Sequence, residues 1–446
     1  MKPYPKYKDS GIEWIGEIPE GWAFKRLKHI CKINPIKGAS SFSSDSSQPV
    51  TFLPMEKVHE DGSFDHSEKK PINELWNGFT YFEEKDVIMA KITPCFENGK
   101  GAYLESLGSK IGFGSTEFHV LRSLPHVSNP KYLYYLSSSS NFRHPAISFM
   151  TGAAGQKRVP TDFIEEYYLG CPSISEQKAI ASFLDRKTKQ IDELIEKKRR
   201  MIELLKEQRT AIINHAVTKG LNPNAPMKDS GIEWLGEIPA HWEVNKIKYL
   251  MKFFSGGTPS TDNLDYWNGG IPWVSPKDMK YDVINNTEDT VSQKAVDNGK
   301  TSFLLPKGAV LLVVRSGILR HTIPVAIAGM ELTINQDIKG ILPIDNKCDA
   351  GYFSALVRGA QAKLLPIWSK MGATVESLET DQVRNTAVTL PPKKEQKSIV
   401  DYICQKVNEA EIALSKEEQS IELLQKYRTA LISNAVTGKI DVREDN

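Results

Sequence analysis

The chain has 446 residues, 40% hydrophobic and 25% charged, with a net charge of +2. That length exceeds one core and calls for two or three domains, in an ordinary globular composition. No apolar run approaches the ~18–20 residues that span a bilayer, and the opening MKPYPKYKDS offers no apolar stretch for a signal peptide.

The first element, KDSGIEWIGEIPEGW at 8–22, returns as KDSGIEWLGEIPAHW at 228–242, with twelve of fifteen positions identical. Further along, EQKAI at 176–180 returns as EQKSI at 395–399, and IELL at 202–205 returns at 421–424. RTAII at 209–213 returns as RTALI at 428–432, and Ala216-Val217-Thr218 as Ala435-Val436-Thr437. The offset is 220 residues at the first motif and 219 at the others. Solenoid repeats have periods of about 20–50 residues, so this is a duplicated unit, and two equivalent units predict pseudo-two-fold symmetry. The stretches between the repeated anchors hardly match.

Each half reads as a variable block and then a long helix: 1–172 and 173–221, then 222–391 and 392–446. The expected class is α/β (α+β), two globular domains joined by two long antiparallel coiled-coil helices. In the first block, serine-rich 37–48 reads as a loop. Residues 79–92 (FTYFEEKDVIMAKI) give a turn and an apolar β-rich run ending in a basic residue, and 118–121 a short strand. Ser173 and Glu176 have the spacing of a capping box; helical periodicity then runs to Thr218, where Gly220 and Pro223 stop it. In the second block, 256–270 (GGTPSTDNLDYWNGG) reads as a loop, 302–315 (SFLLPKGAVLLVVR) repeats the turn and strand, and 338–342 is another strand. The second helix begins after Pro391-Pro392 and stops near Gly438. At 1.5 Å per residue, each helix would be ~60 Å long.

The apolar spacing of both helices is a heptad. Leu184, Ile191, Leu205 and Ile212 occupy one seam position of the first, and Ile195, Ile202 and Ala216 the other. Ile403, Ala410, Leu424 and Leu431, with Val407, Leu414, Ile421 and Ala435, do the same in the second. A period of 3.5 kept over four heptads predicts a coiled coil. Lys198 and its equivalent Glu417 interrupt these seams near the helix midpoints. In an antiparallel pair the opposite charges would meet and fix register; alternatively each side chain snorkels to water. The run Lys197-Lys198-Arg199-Arg200 reads mostly as a solvated helix face.

Catalytic signatures are missing. There is no Asn/Asp-Pro-Pro-Tyr/Phe motif for a flipped base, no Gly-rich strand–turn–helix for S-adenosylmethionine, and no HExxH. Gly299-Lys300-Thr301 resembles the end of a P-loop, but the required first glycine is Lys294. Cys31, Cys95, Cys171, Cys348 and Cys404 are scattered without CxxC pairs or histidines at ligand spacing. Neither a metal site nor a disulfide framework is expected, and a reducing cytoplasm fits.

The anchor at 8–22, the Pro172-x-x-x-Glu176-Gln177-Lys178 and Arg209-Thr210-Ala211 motifs and their second copies resemble the specificity subunit of type I restriction-modification systems. Ser255-Gly256-Gly257-Thr258-Pro259-Ser260 and the stretch 266–273 (YWNGGIPW) resemble a common opening of that family's variable block. The resemblance implies two target-recognition domains, each reading half of an asymmetric two-part site in double-stranded DNA, with helices that set the gap. It also implies two methyltransferase subunits modifying adenine N6, and motor/nuclease restriction subunits. S-adenosylmethionine, ATP and Mg2+ are then expected on those partners and no cofactor in this chain. A fused methyltransferase or nuclease is disfavoured by the missing motifs. A structural or antirestriction mimic is disfavoured because mimics of phosphate tend to be acidic.

Within such readers, Lys91 and Arg315 end matching strands and precede Thr93 and Ser316. A basic side chain there can reach guanine O6 and N7, or make a phosphate contact, or be a plain surface charge. Loops 152–158, with Gln156, Lys157 and Arg158, and 370–374, with Lys370, precede the helices at equivalent positions; either their small residues let the backbone approach DNA with Lys157, Arg158 and Lys370 as phosphate partners, or they merely cap the domain. Gln336, between Asn335 and Asp337, could read adenine or simply serve a turn. In the anchors, Trp14, Trp22, Trp234 and Trp242 read mainly as core. A docking surface for the methylating partner is the second reading, with Trp14, Glu17, Trp234, Glu237, Arg209 and Arg428 as candidates.

Overall fold

The structure, a computed structural model, describes residues 2–12, 15–37, 43–153, 155–370 and 375–443. It divides into two compact units: residues 1–198 with 419–446, and residues 199–418. The long helices form where the heptads place them, at Ile174–Lys219 and Lys393–Val436. The expected capping box is only half made. Ser173 Oγ accepts from the Glu176 amide at 3.3 Å, but the Glu176 carboxylate accepts from the Tyr4 hydroxyl at 2.7 Å instead of reaching back. Gly220 and Gly438, at φ of +77° and +75°, follow the helix ends in the left-handed conformation that closes many helices. A Cβ on Gly438 would lie 2.5 Å from Pro19 Cγ, and one on Gly220 would lie 3.1 Å from the Trp242 ring. Each helix end is thus the floor on which an anchor segment sits.

Neither helix belongs to one unit. In the first unit, Leu184, Ile191 and Ile195 share a core with Leu431, Ile432, Ala435 and Val436. In the second, Ile213, Ala216 and Val217 pack with Ile399 and Ile403. Within each unit, early residues of one helix therefore meet late residues of the other, and the paired segments run antiparallel. The seam broadens where it reaches a globular body: Ile213 is buried while the expected Ile212 is half-buried. One ion pair recurs in both units. Arg428 donates to Asp192 at 2.9 and 3.2 Å in the first, and Arg209 lies 3.8 Å from Glu411 in the second. The 219-residue offset maps Arg209 onto Arg428 and Asp192 onto Glu411. Exposed pairs contribute at most ~1 kcal/mol, so their use is to fix register. Lys198 belongs to the first unit and Glu417 to the second.

The globular bodies have the same frame. Among the described residues, one sheet of the first unit orders Cys31–Ile33, Phe118–Ser123, Val87–Ala90 and Gly101–Tyr103, all antiparallel. In the second unit Met251–Ser255, Ile338–Pro343, Val310–Val313 and Val325–Ala328 repeat that order, and Val283–Ile284 is added in parallel at the edge. The central runs Val87–Ala90 and Val310–Val313 are apolar at every position because both faces are buried. The segment 256–270 is not wholly a loop. Strand Trp267–Val274 takes in its last residues through a bulge, Trp267 and Ile271 both facing Val291.

The anchors fold as short hairpins, Tyr7–Asp9 with Glu17–Pro19 and Met227–Asp229 with Glu237–Pro239. Their repeated polar residues serve the turn. Asp9 Oδ1 accepts from the Gly11 amide at 2.9 Å and Ser10 Oγ from the Ile12 amide at 3.2 Å; Asp229 and Ser230 repeat both bonds. Trp22 and Trp242 are core residues, 2% and 0% exposed.

The repeated EQK motif has an equally local reason. Gln177 is fully buried, accepts from the Asn129 amide at 2.8 Å, and donates to the Val127 and Pro172 carbonyls at 3.1 Å each. Gln396 does the same for the Asp349 amide and the Lys347 and Pro391 carbonyls, at 2.7, 2.8 and 2.8 Å. Asn129 and Asp349 cap the helices Pro130–Ser138 and Ala350–Trp368. One side chain in each unit thus joins a cap, a strand end and the start of a long helix.

Candidate nucleic-acid interface

The candidate residues between the anchors gather at one place in each unit, where the central strand runs out of its sheet. In the first unit Lys91, Ile92 and Thr93 continue past Ala90 and pair with the returning arm of a hairpin. The Val159 amide donates to the Lys91 carbonyl and the Thr93 amide to the Lys157 carbonyl, both at 2.9 Å. Thr93 Oγ1 accepts from the Lys157 amide at 3.1 Å. Thr151 and Arg158 close the hairpin by exchanging amide–carbonyl bonds at 3.0 and 2.8 Å. Gln156 and Lys157 are exposed at its tip, and Ala154 lies outside the described residues.

The second unit builds the same frame. The Leu378 amide donates to the Val314 carbonyl at 2.8 Å, the Ser316 amide to the Glu376 carbonyl at 3.0 Å, and the Lys370 amide to the Ser377 carbonyl at 2.8 Å. Matching these bonds corrects the sequence alignment of the strand ends. Lys91 corresponds to Val314, Ile92 to Arg315 and Thr93 to Ser316, because the second block carries extra residues before the strand. Arg158 corresponds to Ser377, Lys157 to Glu376 and Thr151 to Lys370. Residues 371–374 of the second loop lie outside the described residues.

The chemistry laid over this frame differs between the units. Lys91 lines a concavity of about 440 Å³ with Asn34, Lys37, Tyr81 and His119. His119 is buried and hydrogen-bonded to the Val159 carbonyl at 2.9 Å and to Asn34 Nδ2 at 3.1 Å. Burial pushes its pKa down to about 4, so the ring is neutral at pH 7 and serves the frame rather than attracting phosphate. In the second unit Gln336 is exposed and its carbonyl accepts from the Thr258 hydroxyl, while Asn335 is buried and brackets Asp337. Asn335 is therefore a turn residue, and Gln336 stands beside the Ser255–Ser260 opening. Exposed Lys370 sits at the hairpin base rather than its tip.

The sequence reading missed the carboxylates of this site. Arg158 Nε and Nη2 donate to Glu117 at 2.9 and 2.8 Å, and Nη1 donates to the Gln156 carbonyl at 3.2 Å. The Arg158 hydrogen bond holds the Glu117 carboxyl below its usual range. Arg315 Nε donates to Asp337 at 2.7 Å. Glu117 and Asp337 each directly precede a predicted strand, and that shared position was the available signal.

The docking candidates are dispersed. Glu17 and Glu237 are exposed in the anchor hairpins, Trp234 is half-buried, and Trp14 lies outside the described residues. Arg209 and Arg428 are engaged between helices within their units. Among the described residues no helix is long and apolar enough to cross a membrane.

Comparison with known proteins identifies the family. The model of the type I restriction modification DNA specificity domain matches twice, at residues 19–204 and 239–424. These matches cover most of the chain, and the chain belongs to this family. It is 40% identical over 182 residues to the type I restriction enzyme EcoAI specificity subunit of Escherichia coli, a match covering 40% of this chain and 30% of that relative. It is 23% identical to a putative type I restriction enzyme MjaX specificity subunit of Methanocaldococcus jannaschii, over 96% of each chain. The first relatives are matched over less than half of their own length. The fold resembles a chain from a solved structure concerned with complex assembly and conformational transition of the type I R-M system. There the TM-score is 0.76 at 16% identity, over 95% of this chain and 99% of the other.

Proposed function

We propose that the chain is the DNA-recognition subunit of a type I restriction-modification enzyme. Each unit reads one half of a two-part, asymmetric site in double-stranded DNA. The observation that carries this is one backbone frame built twice and dressed with different exposed polar side chains. Lys91, Thr93, Gln156, Lys157 and Arg158 stand on the first frame, and Arg315, Ser316, Gln336 and Lys370 on the second. Equal frames hold two readers to the duplex in equivalent ways; unequal side chains make the two half-sites differ.

The long helices set the spacer and, with the anchors, dock two methyltransferase subunits; motor/nuclease subunits complete the assembly. Trp14, Glu17, Trp234 and Glu237 belong to the docking surface, and Arg209 and Arg428 support it by holding the helices in register. S-adenosylmethionine, ATP and Mg2+ reside on the partners, and the assembly works in the cytoplasm. The test is reconstitution. Purified chain incubated with DNA and S-adenosylmethionine should leave no N6-methyladenine, and adding modification subunits should produce it. Methylation by the chain alone overturns the assignment.

A further inference from the structure

The two readers share one feature that no repeated motif encodes. In each, a guanidinium lies against the carboxylate of the residue just before a matching strand. Phe118 faces Ala90 and Ile338 faces Val313 across the central ladder, so Glu117 and Asp337 occupy the same position. The arginines do not come from the same position. The bridge Ile92–Arg158 of the first unit is the bridge Arg315–Ser377 of the second. The arginine stands on the hairpin side in one and on the strand side in the other, yet it reaches the same carboxylate. The surrounding blocks have diverged almost completely, so a guanidinium restored to one place from opposite sides of a bridge points to a requirement for that group there.

Stability does not explain the requirement. The Arg158 side chain is 41% exposed and that of Arg315 is 56% exposed, and exposed ion pairs contribute little to folding. Phosphate binding does not explain it either. A carboxylate within hydrogen-bonding distance cancels the charge that would attract a phosphate and repels the phosphate oxygens. What a carboxylate does accomplish is orientation. Glu117 takes the Nε and Nη2 donors of Arg158, and the Gln156 carbonyl takes a third from Nη1. Of five N–H donors, two are left uncommitted among the described residues. Two parallel donors on a planar group are what guanine O6 and N7 accept.

We propose that Arg158 and Arg315 each read a guanine edge in their own half-site, with Glu117 and Asp337 as positioning carboxylates. This rests on the DNA-recognition reading above and adds a specific base to each half. Lys157, at the hairpin tip and exposed, acts differently, as a phosphate contact.

The test uses the full chain assembled with its modification subunits, on duplexes randomised through each half-site, at two salt concentrations. Arg158→Ala should relax the preference for guanine at one position of one half-site by about 5- to 150-fold, the range of one bidentate base contact. The other half-site and the salt slope should be unchanged. Arg158→Lys, which keeps the charge but loses the fork, should give the same relaxation and guards against a folding defect. Glu117→Gln should weaken the preference partially, again at the same salt slope. Lys157→Ala should lower affinity for all sequences and reduce the slope by about 0.9. Ile92→Arg with Arg158→Ser, which moves the arginine across the bridge, should restore the guanine. An unchanged consensus in Arg158→Ala, a uniform loss with reduced slope, or a half-site lacking guanine overturns the inference and leaves the recognition reading standing. Absence of any two-part site with the unaltered chain overturns the recognition reading itself.

Discussion

Replacing residues 253–390 with the corresponding block of another family member will change one half of the methylated site completely and leave the other half as it was. The expectation follows from where the variable side chains stand. Every candidate of the second reader, Arg315, Ser316, Gln336 and Lys370, lies inside this block and inside the second unit. One core of the block is its own: Val274, Ile284, Leu311, Val313, Ala326 and Ile334 pack together within it. A second core is shared with the scaffold, where Val310, Tyr352, Leu356 and Trp368 cluster with Ile213, Val217, Trp242 and Ile399, and the Gln396 clamp holds Asp349 and Lys347. The Ala387–Leu390 strand pairs with Glu243–Lys246, and Tyr352 donates to the Val217 carbonyl at 3.2 Å. A replacement that keeps those contacts and the apolar residues of the shared core should fold. Sequencing of methylated adenines before and after the exchange decides the matter. Changes in both halves, or in neither, would show that the units are not independent readers.

The second large effect concerns folding. Gln177→Leu should destabilise the first unit by about 3 kcal/mol or more, because one amide and two carbonyls lose their partner around a fully buried side chain. For a body of this size that corresponds to a fall of roughly 10 °C in melting temperature. Gln177→Glu separates hydrogen bonding from packing: it keeps the shape but turns a donor into an acceptor facing two carbonyls, so it should be at least as damaging. Gln396→Leu should have the same effect on the second unit. Calorimetry gives the magnitude, and hydrogen exchange shows which unit loses protection. A shift below 2 °C for Gln177→Leu would mean that the clamp is incidental.

Local features were legible in the sequence. The heptads, Pro172, Pro391-Pro392 and the two glycines bound the helices to within a residue or two, because a helix boundary is set by its own residues. The strands at Phe118–Ser123 and Ile338–Pro343 were likewise visible as short apolar runs. Non-local features were not legible. Lys91 and Arg315 look equivalent when strand ends are matched by their basic residues, and only the hydrogen bonds from Val159 and Leu378 show a one-residue difference in register. Glu117 gains meaning only when a hairpin some forty residues away folds back onto it, and Asp337 only when Arg315, 22 residues earlier, lies beside it. The repeated polar residues Asp9, Ser10, Asp229 and Ser230 of the anchors are explained by turn geometry, which needs the folded hairpin to be seen. The repeated Arg–carboxylate pair between the helices could have been found from the offset alone, since Asp192 and Glu411 are both acidic at the 219-residue spacing.

The most direct test of two readers on one duplicated scaffold is a map of methylated adenines in DNA from a host carrying this chain with its modification subunits, compared with the same host lacking it. The expected map shows N6-methyladenine that depends on the chain, at a site of two different defined segments separated by undefined bases, one adenine on each strand. Methylation unchanged by removal of the chain, or confined to one uninterrupted or palindromic sequence, would contradict the account.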